Sequence, residues 1–236
     1  MLFSLVIPCY NEALSLPKLI EKCEELTKEV NIEVIIVNNG STDNTIEVMN
    51  DLIKDSNKIK FCNVIKNIGY GHGILEGLKC STGEIVGWTH ADLQTDPIDA
   101  VAGCNIFLSQ KNPKKIFVKG KRFGRPLFDN FFTIGMSFFE TILLRKIMWD
   151  INAQPTFFHR EFYDTFKNPP LDFSLDLFVY FLAKKSNFEV HRIPVFFGAR
   201  SHGQSHWNYS LKSKYNFIKR TLLYSLKLRK RLKEGQ

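Results

Sequence analysis

Short runs of β-branched apolar residues alternate with helix-length segments through the first half of this chain, and few architectures accept that rhythm. The runs at 2–7, 32–37, 59–64, 85–88 and 116–118 read as buried strands. Helical patterns lie between them at 14–30, 42–53, 71–79 and 98–108. Strands alternating with helices build βαβ units, so the expectation is an α/β chain: a doubly wound, mostly parallel sheet with helices on both faces. In such sheets ligands gather at the carboxyl ends of the strands, so the loop after each strand is where chemistry is sought. The second half is less regular. It predicts a long apolar helix over 127–148, an irregular stretch over 150–158, a helix over 174–185 and a strand over 188–195.

The last segment, 209–233, sets Leu211, Tyr215, Ile218, Leu222 and Leu226 three or four residues apart among lysines and arginines, as an amphipathic helix does. No internal repeat or low-complexity linker occurs, so 1–208 is expected to form one domain and 209–236 a basic amphipathic tail. The 236 residues include 32 Lys and Arg against 24 Asp and Glu, a net charge of +8. Nine of the basic residues, Lys212 to Lys233, stand in the tail beside a single acid, Glu234, so the tail holds the whole excess. The remainder is balanced, which argues against a nucleic-acid-binding domain.

Five cysteines (Cys9, Cys23, Cys62, Cys80, Cys104) form no CxxC pair. That argues against a disulfide framework or a structural zinc site, and for a reducing compartment. Residues 1–8 carry no basic leader and are not read as a signal peptide. No stretch reaches the roughly 18 uncharged apolar residues needed to cross a bilayer, so the chain is not expected to span a membrane by itself.

Four post-strand loops concentrate the polar chemistry. Ile7-Pro8-Cys9-Tyr10-Asn11-Glu12 offers an aromatic and a carboxylate at a strand end, or is simply the entry to a helix. Asn38-Asn39-Gly40-Ser41-Thr42-Asp43 reads as a glycine turn, with Ser41 or Thr42 capping the next helix. Asn67-Ile68-Gly69-Tyr70-Gly71-His72-Gly73 opens a helix whose amides could approach a phosphate. It is neither a Walker A loop nor a GxGxxG turn after the first strand. In His90-Ala91-Asp92-Leu93-Gln94, alternate residues of an extended chain share a side. His90, Asp92 and Gln94 are thus a candidate ligand set for Mn²⁺ or Mg²⁺, with phosphate oxygens completing the shell.

Taken in order, VIPCYNE, NNGSTDNT, NIGYGHGILEGLKCSTGE and HADLQTDP resemble the family 2 glycosyltransferases of GT-A fold, and most of all the dolichyl- or polyprenyl-phosphate sugar transferases. The resemblance runs on through Lys119-Gly120-Lys121-Arg122, Asp150-Ile151-Asn152-Ala153-Gln154-Pro155 and Arg200-Ser201-His202-Gly203-Gln204-Ser205-His206, covering roughly residues 3 to 210. It implies that Pro8, Tyr10, Glu12, Asn39, Gly71, Ala91 and Asp92 bind a UDP- or GDP-linked sugar donor, and that His90, Asp92 and Gln94 hold a Mn²⁺ or Mg²⁺ ion. Arg122, Gln154, Arg200, Ser205 and His206 would face acceptor or phosphate groups. Asp92, Asp176 and Arg200 would be the catalytic set, with Asp176 as base or positioning group.

Three positions depart from the family pattern. Asn39 and His90 stand where aspartates are usual, and His206 where a lysine is common. A neutral nitrogen ligand in place of a carboxylate shifts the metal preference toward Mn²⁺. The implied activity is inverting transfer to a polyprenyl phosphate at the cytoplasmic membrane face, by a peripheral enzyme with or without a separate membrane subunit. In the resembled enzymes the 127–148 segment lies against the bilayer; a helix that merely covers the sheet is the other reading. Transfer to a sugar hydroxyl during surface-polysaccharide synthesis, and a non-catalytic nucleotide-sugar-binding subunit, are the competing functions.

Overall fold

The computed structural model describes residues 1–53, 56–198 and 211–233. Seven strands form one sheet in the order β3-β2-β1-β4-β6-β5-β7. They are β1 (Phe3–Cys9), β2 (Ile32–Asn39), β3 (Ile59–Val64), β4 (Ile85–Trp88), β5 (Ile116–Phe123), β6 (Thr156–His159) and β7 (Glu189–Phe196). Every neighbouring pair is parallel except those that β6 makes with β4 and β5, so six strands run one way and deliver their carboxyl ends to the same edge. The helices are α1 (Leu16–Glu29), α2 (Thr45–Ile53), α3 (Tyr70–Cys80), α4 (Ala100–Ser109), α5 (Leu127–Leu144), α6 (Arg160–Tyr163), α7 (Ser174–Lys185) and α8 (Leu211–Lys233).

Strand alternation sorts the core into two layers. Phe3, Leu5 and Ile7 of β1, with Ile32, Val34 and Ile36 of β2, pack under α1, where Leu16, Leu19, Ile20, Cys23 and Leu26 recur at helical spacing. Val6, Ile35 and Val37 point the other way, into a layer with Ile74 and Leu78 of α3 and the apolar residues of α7. Both faces are covered, which is why β2 is buried along its whole length and is apolar at Ile32 and from Val34 to Val37 rather than alternating. The one acid in that run, Glu33, is buried with its carboxylate held by the Ser4 hydroxyl at 2.6 Å, the Thr82 hydroxyl at 2.9 Å and Lys60 Nζ at 2.5 Å.

The sequence-based expectation omits β6. Thr156–His159 fills the middle of the sheet as the single reversed strand, where an irregular stretch was expected. Four residues with no alternation carry no periodic signal, because both of their faces are buried. The long apolar helix also ends sooner than 148: α5 stops at Leu144, and Arg145 closes it in the left-handed region at φ 54°. The 208/209 boundary falls outside the described residues. Beyond it, α8 lies on the domain: Leu228 and Ser225 are buried, and the Ser225 hydroxyl is 2.5 Å from Glu140 Oε1 of α5.

Candidate active site

The shared edge of the sheet opens into a cleft of about 1060 Å³, lined from the ends of β1, β2, β3, β4, β5 and β7 and walled by α5. On the β1 side, Asn11 turns the chain at φ 57°. Its Nδ2 donates to Thr42 Oγ1 at 3.2 Å, and its Oδ1 accepts from the Thr42 N–H at 2.8 Å. The Glu12 N–H donates to Thr45 Oγ1 at 3.0 Å. The loops after β1 and β2 are thereby tied together, with Pro8, Tyr10 and Glu12 on the cleft wall. Since Asn11 engages Ser41 and Thr42, neither caps α2 as expected; the Asp43 carboxylate accepts from the Thr45 N–H at 3.1 Å instead.

Asn39 is buried at the end of β2 and lines the cleft. Its Nδ2 donates to the Gly69 carbonyl at 3.0 Å, and among the described residues its Oδ1 has no partner. An aspartate here would face that carbonyl with no hydrogen to offer, which gives the unusual asparagine a local reason. Gly71 is a correction. It does not line the cleft: a Cβ there would come within 2.7 Å of the Pro170 and Asp172 carbonyl oxygens. The His72 N–H beside it donates to the Leu171 carbonyl at 2.9 Å, so protein rather than phosphate meets that part of the helix start.

The β4 loop is also corrected in its geometry. The chain bends after Trp88 and Leu93 takes φ 56°, so His90, Asp92 and Gln94 are not successive same-side positions of an extended strand. They still reach the cleft, with Ala91 among them. Asp92 Oδ1 accepts from the Gln94 N–H at 3.2 Å. Gln94 Nε2 donates to the Gly198 carbonyl at 3.2 Å, and the Gly198 N–H returns to the Gln94 carbonyl at 2.8 Å. His90 Nδ1 sits 3.4 Å from the Tyr70 hydroxyl, and Tyr70 stacks on Phe173 at 4.6 Å. Burial, then the nearby Asp176 and Asp92, hold the Tyr70 phenol well above its usual range, so it stays a neutral donor.

Among the described residues no three His, Cys, Asp or Glu side chains gather as a metal site. The set fits only a hard divalent ion that brings most of its own shell: one carboxylate from Asp92, the Gln94 amide oxygen, and oxygens of a bound diphosphate.

Asp176 is buried at the cleft floor. Its Oδ1 accepts from Trp88 Nε1 at 3.1 Å and Gln154 Nε2 at 2.6 Å, with the buried Lys119 ammonium 3.7 Å away. Its Oδ2 has no partner among the described residues. Burial pulls Lys119 down to about 8, against the opposing pull of Asp176. Gln154, expected to face a phosphate, is fully buried, accepts from the Thr156 hydroxyl at 2.9 Å, and is not among the residues that line the cleft.

At the far end of the cleft, Arg122 donates through its backbone N–H and Nε to Asp150, each at 2.9 Å, with a further bond from Nη2. Burial raises the Asp150 carboxyl, but the Arg122 charge and hydrogen bonds outweigh it and hold the group below its ordinary range. Arg125 was not singled out from sequence. It lies with Arg122 against the Phe197 ring, each guanidinium 5.2 Å from the centroid, and donates to Thr133 Oγ1 at 2.6 Å. Its Nε has no partner among the described residues. Its position three residues past Arg122, across a glycine turn, was the only signal in the sequence. Arg200, Ser205 and His206 lie outside the described residues.

The mostly parallel sheet, with one reversed strand and a cleft along its carboxyl edge, is GT-A-like in its fold. The mannosyltransferase PcManGT from Pyrobaculum calidifontis, solved with GDP-Man and Mn²⁺, superposes on 85% of this chain and 58% of its own at TM-score 0.64 and 19% identity. Glucosyl-3-phosphoglycerate synthase from Mycobacterium tuberculosis, solved with Mn²⁺, UDP and phosphoglyceric acid, covers 96% of this chain and 78% of its own at TM-score 0.70 and 16% identity. Residues 4–102 match Glycosyl transferase family 2. In sequence it is 37% identical over 98 residues to undecaprenyl-phosphate 4-deoxy-4-formamido-L-arabinose transferase of Pseudomonas savastanoi pv. phaseolicola, and 36% over 102 residues to that of Aeromonas hydrophila subsp. hydrophila. Those matches take in 40% and 41% of this chain, and the chain spans only 29% and 30% of the length of these relatives.

Proposed function

We propose that the protein is an inverting glycosyltransferase that moves a sugar from a UDP- or GDP-linked donor to a polyprenyl phosphate at the cytoplasmic face of a membrane. The observation that carries this reading is the cation pair Arg122 and Arg125 at the end of the cleft, beside a helix with a bare apolar face. On α5 the cleft side holds Asp129, Thr133 and Met136, while Leu127 (88% exposed), Phe131 (76%), Phe138 (68%) and Ile142 (62%) stand on the outside. Leu223 and Leu226 of α8 are exposed as well, near the exposed Lys219, Lys227 and Lys230. An apolar patch of this extent marks an interaction surface. With basic residues beside it, each adding about 1 kcal/mol at an anionic leaflet, it suits a lipid interface. Among the described residues no helix is long and apolar enough to cross a membrane.

In this reading Pro8, Tyr10, Glu12 and Asn39 bind the nucleoside end of the donor and Asp92 faces its diphosphate. A Mn²⁺ or Mg²⁺ ion held by Asp92 and Gln94 would offset the charge of the departing diphosphate, with His90 alongside. Arg122 and Arg125 orient the acceptor phosphate, one of whose oxygens attacks the anomeric carbon from the face opposite the leaving group. The new carbon–oxygen bond forms as the bond to the diphosphate breaks, and configuration inverts. The attacking oxygen is already anionic, so no proton has to be removed. Arg200, Ser205 and His206 remain proposed phosphate contacts. The proposed units are a catalytic domain over 1–208 and a membrane-facing tail over 209–236.

A second reading, transfer to a sugar hydroxyl, is favoured by the unpartnered Asp176 Oδ2, which would serve as its general base. The test is a panel of labelled UDP- and GDP-sugars with the full chain, Mn²⁺ and vesicles containing polyprenyl phosphate. Label in the organic phase, lost with Asp92→Asn, is the expected result. Label transferred only to water-soluble sugars would replace the lipid acceptor with a hydroxyl. Nucleotide binding without transfer to either would leave a non-catalytic subunit.

A further inference from the structure

Away from the cleft, two cysteines distant in sequence meet. Cys62 lies on β3 and Cys80 is the last residue of α3, and their sulfurs are 2.8 Å apart, close to the approximately 2.05 Å of a disulfide. Both are free thiols. Cys62 is buried and Cys80 exposed, so one sulfur of the pair is open to solvent while the other backs it. Exposure leaves the first encounter with an oxidant to Cys80. The other three cysteines, Cys9, Cys23 and Cys104, are all buried.

We propose that Cys62 and Cys80 form a reversible dithiol–disulfide site that responds to peroxide. The Cys80 sulfur takes one oxygen from hydrogen peroxide, giving a sulfenic acid and water. The Cys62 sulfur then attacks it, a second water leaves, and the disulfide remains. The two thiols together lose two electrons and two protons to one peroxide, and an added dithiol reverses the change. The covalent ring so closed contains Asn67, Gly69 and Tyr70, which line the cleft, so oxidation ties the β3–α3 turn at the cleft wall to the base of its own helix. In a reducing compartment the site would rest as thiols and close transiently, as redox-responsive pairs do.

The test is intact-mass and peptide analysis of the full chain after mild peroxide, beside Cys62→Ser and Cys80→Ser. The expected product is monomeric and lighter by two hydrogens, with one crosslinked peptide joining Cys62 to Cys80 and titratable thiols falling from five to three. Dithiothreitol restores the original mass, and neither variant forms the crosslink. The oxidised form should melt a few degrees higher, since the ring constrains the unfolded chain. Cys80 found as a sulfinic acid with Cys62 unmodified, or Cys80 joining two chains, would overturn the proposal. Cys80→Ser, at an exposed position, keeps the comparison valid should the buried Cys62→Ser fold poorly.

Discussion

Asp176 separates the two acceptor chemistries at the level of one atom. Its Oδ1 is occupied by Trp88 and Gln154, which an asparagine oxygen would also satisfy, so Asp176→Asn should fold, with a lower melting midpoint because the buried Lys119 loses its carboxylate. With a phosphate acceptor, that variant should lose less than about tenfold in kcat; a fall of about 10²–10⁴-fold would instead mark a general base and a hydroxyl acceptor. Steady-state kinetics at saturating donor decide it. If the proposed acceptor is right, Arg125→Gln should raise KM for the lipid phosphate while leaving KM for the nucleotide sugar unchanged, because its guanidinium lies with Arg122 on Phe197, away from the β1 and β2 loops. Arg122→Gln would be a poorer probe, since it strands the buried Asp150. Pro8, Tyr10, Glu12, Asn39, Asp92 and Asp176 could all be picked out from motifs and all line the cleft. Gly71 and Gln154 could not be placed the same way: a glycine needed for packing and one needed for a ligand look alike in sequence, and so do a buried and a cleft-facing amide.

Between elements, the contact with the most testable consequence joins α5 to α8. Ser225 Oγ lies 2.5 Å from Glu140 Oε1 and 2.8 Å from the Thr221 carbonyl, and its one hydrogen cannot serve both. A protonated Glu140 resolves this by donating to Ser225 while Ser225 donates to Thr221. Burial agrees, raising the Glu140 carboxyl to about 7 despite the Ser225 bond. With the folded value above the unfolded one, the contact is at full strength below about pH 4.3 and weakens as pH rises to and through the folded value, by on the order of 3 to 4 kcal/mol at pH 8. Glu140→Gln should therefore raise the melting midpoint at pH 8 and leave it unchanged near pH 4, measured by calorimetry. An unchanged midpoint at pH 8 would remove the buried acid from the account of how α8 is held. Helices at this scale were readable because one face is apolar. β6 was not, because a strand buried on both sides and only four residues long shows no period.

Over the whole molecule, the exposed apolar residues of α5 stand on a helix in contact with α8, which carries the exposed Lys219, Lys227 and Lys230. Phe131 and Phe138 are mostly exposed, so the double change Phe131→Ser, Phe138→Ser should leave the melting midpoint and nucleotide binding intact. Co-sedimentation with anionic vesicles should fall several-fold in the same variant, and the residual binding should weaken further with salt. Equal sedimentation of variant and parent would detach α5 from the membrane in this account.

Strand–helix rhythm determined, from sequence alone, a parallel sheet with its chemistry at one edge, because burial on both faces dictates the residue types along each strand. Loop motifs likewise picked out several of the side chains that line that edge, Pro8, Tyr10, Glu12, Asn39 and Asp92 among them. Only the tertiary structure decided which of those groups are already committed to protein partners. Thus Gln154 and the start of α3 serve neighbours, Asp176 keeps one oxygen unpartnered, and Arg125 joins Arg122 on Phe197. The reason is physical: which hydrogen-bond capacity is left over depends on contacts between residues far apart in the chain, and no local pattern records them.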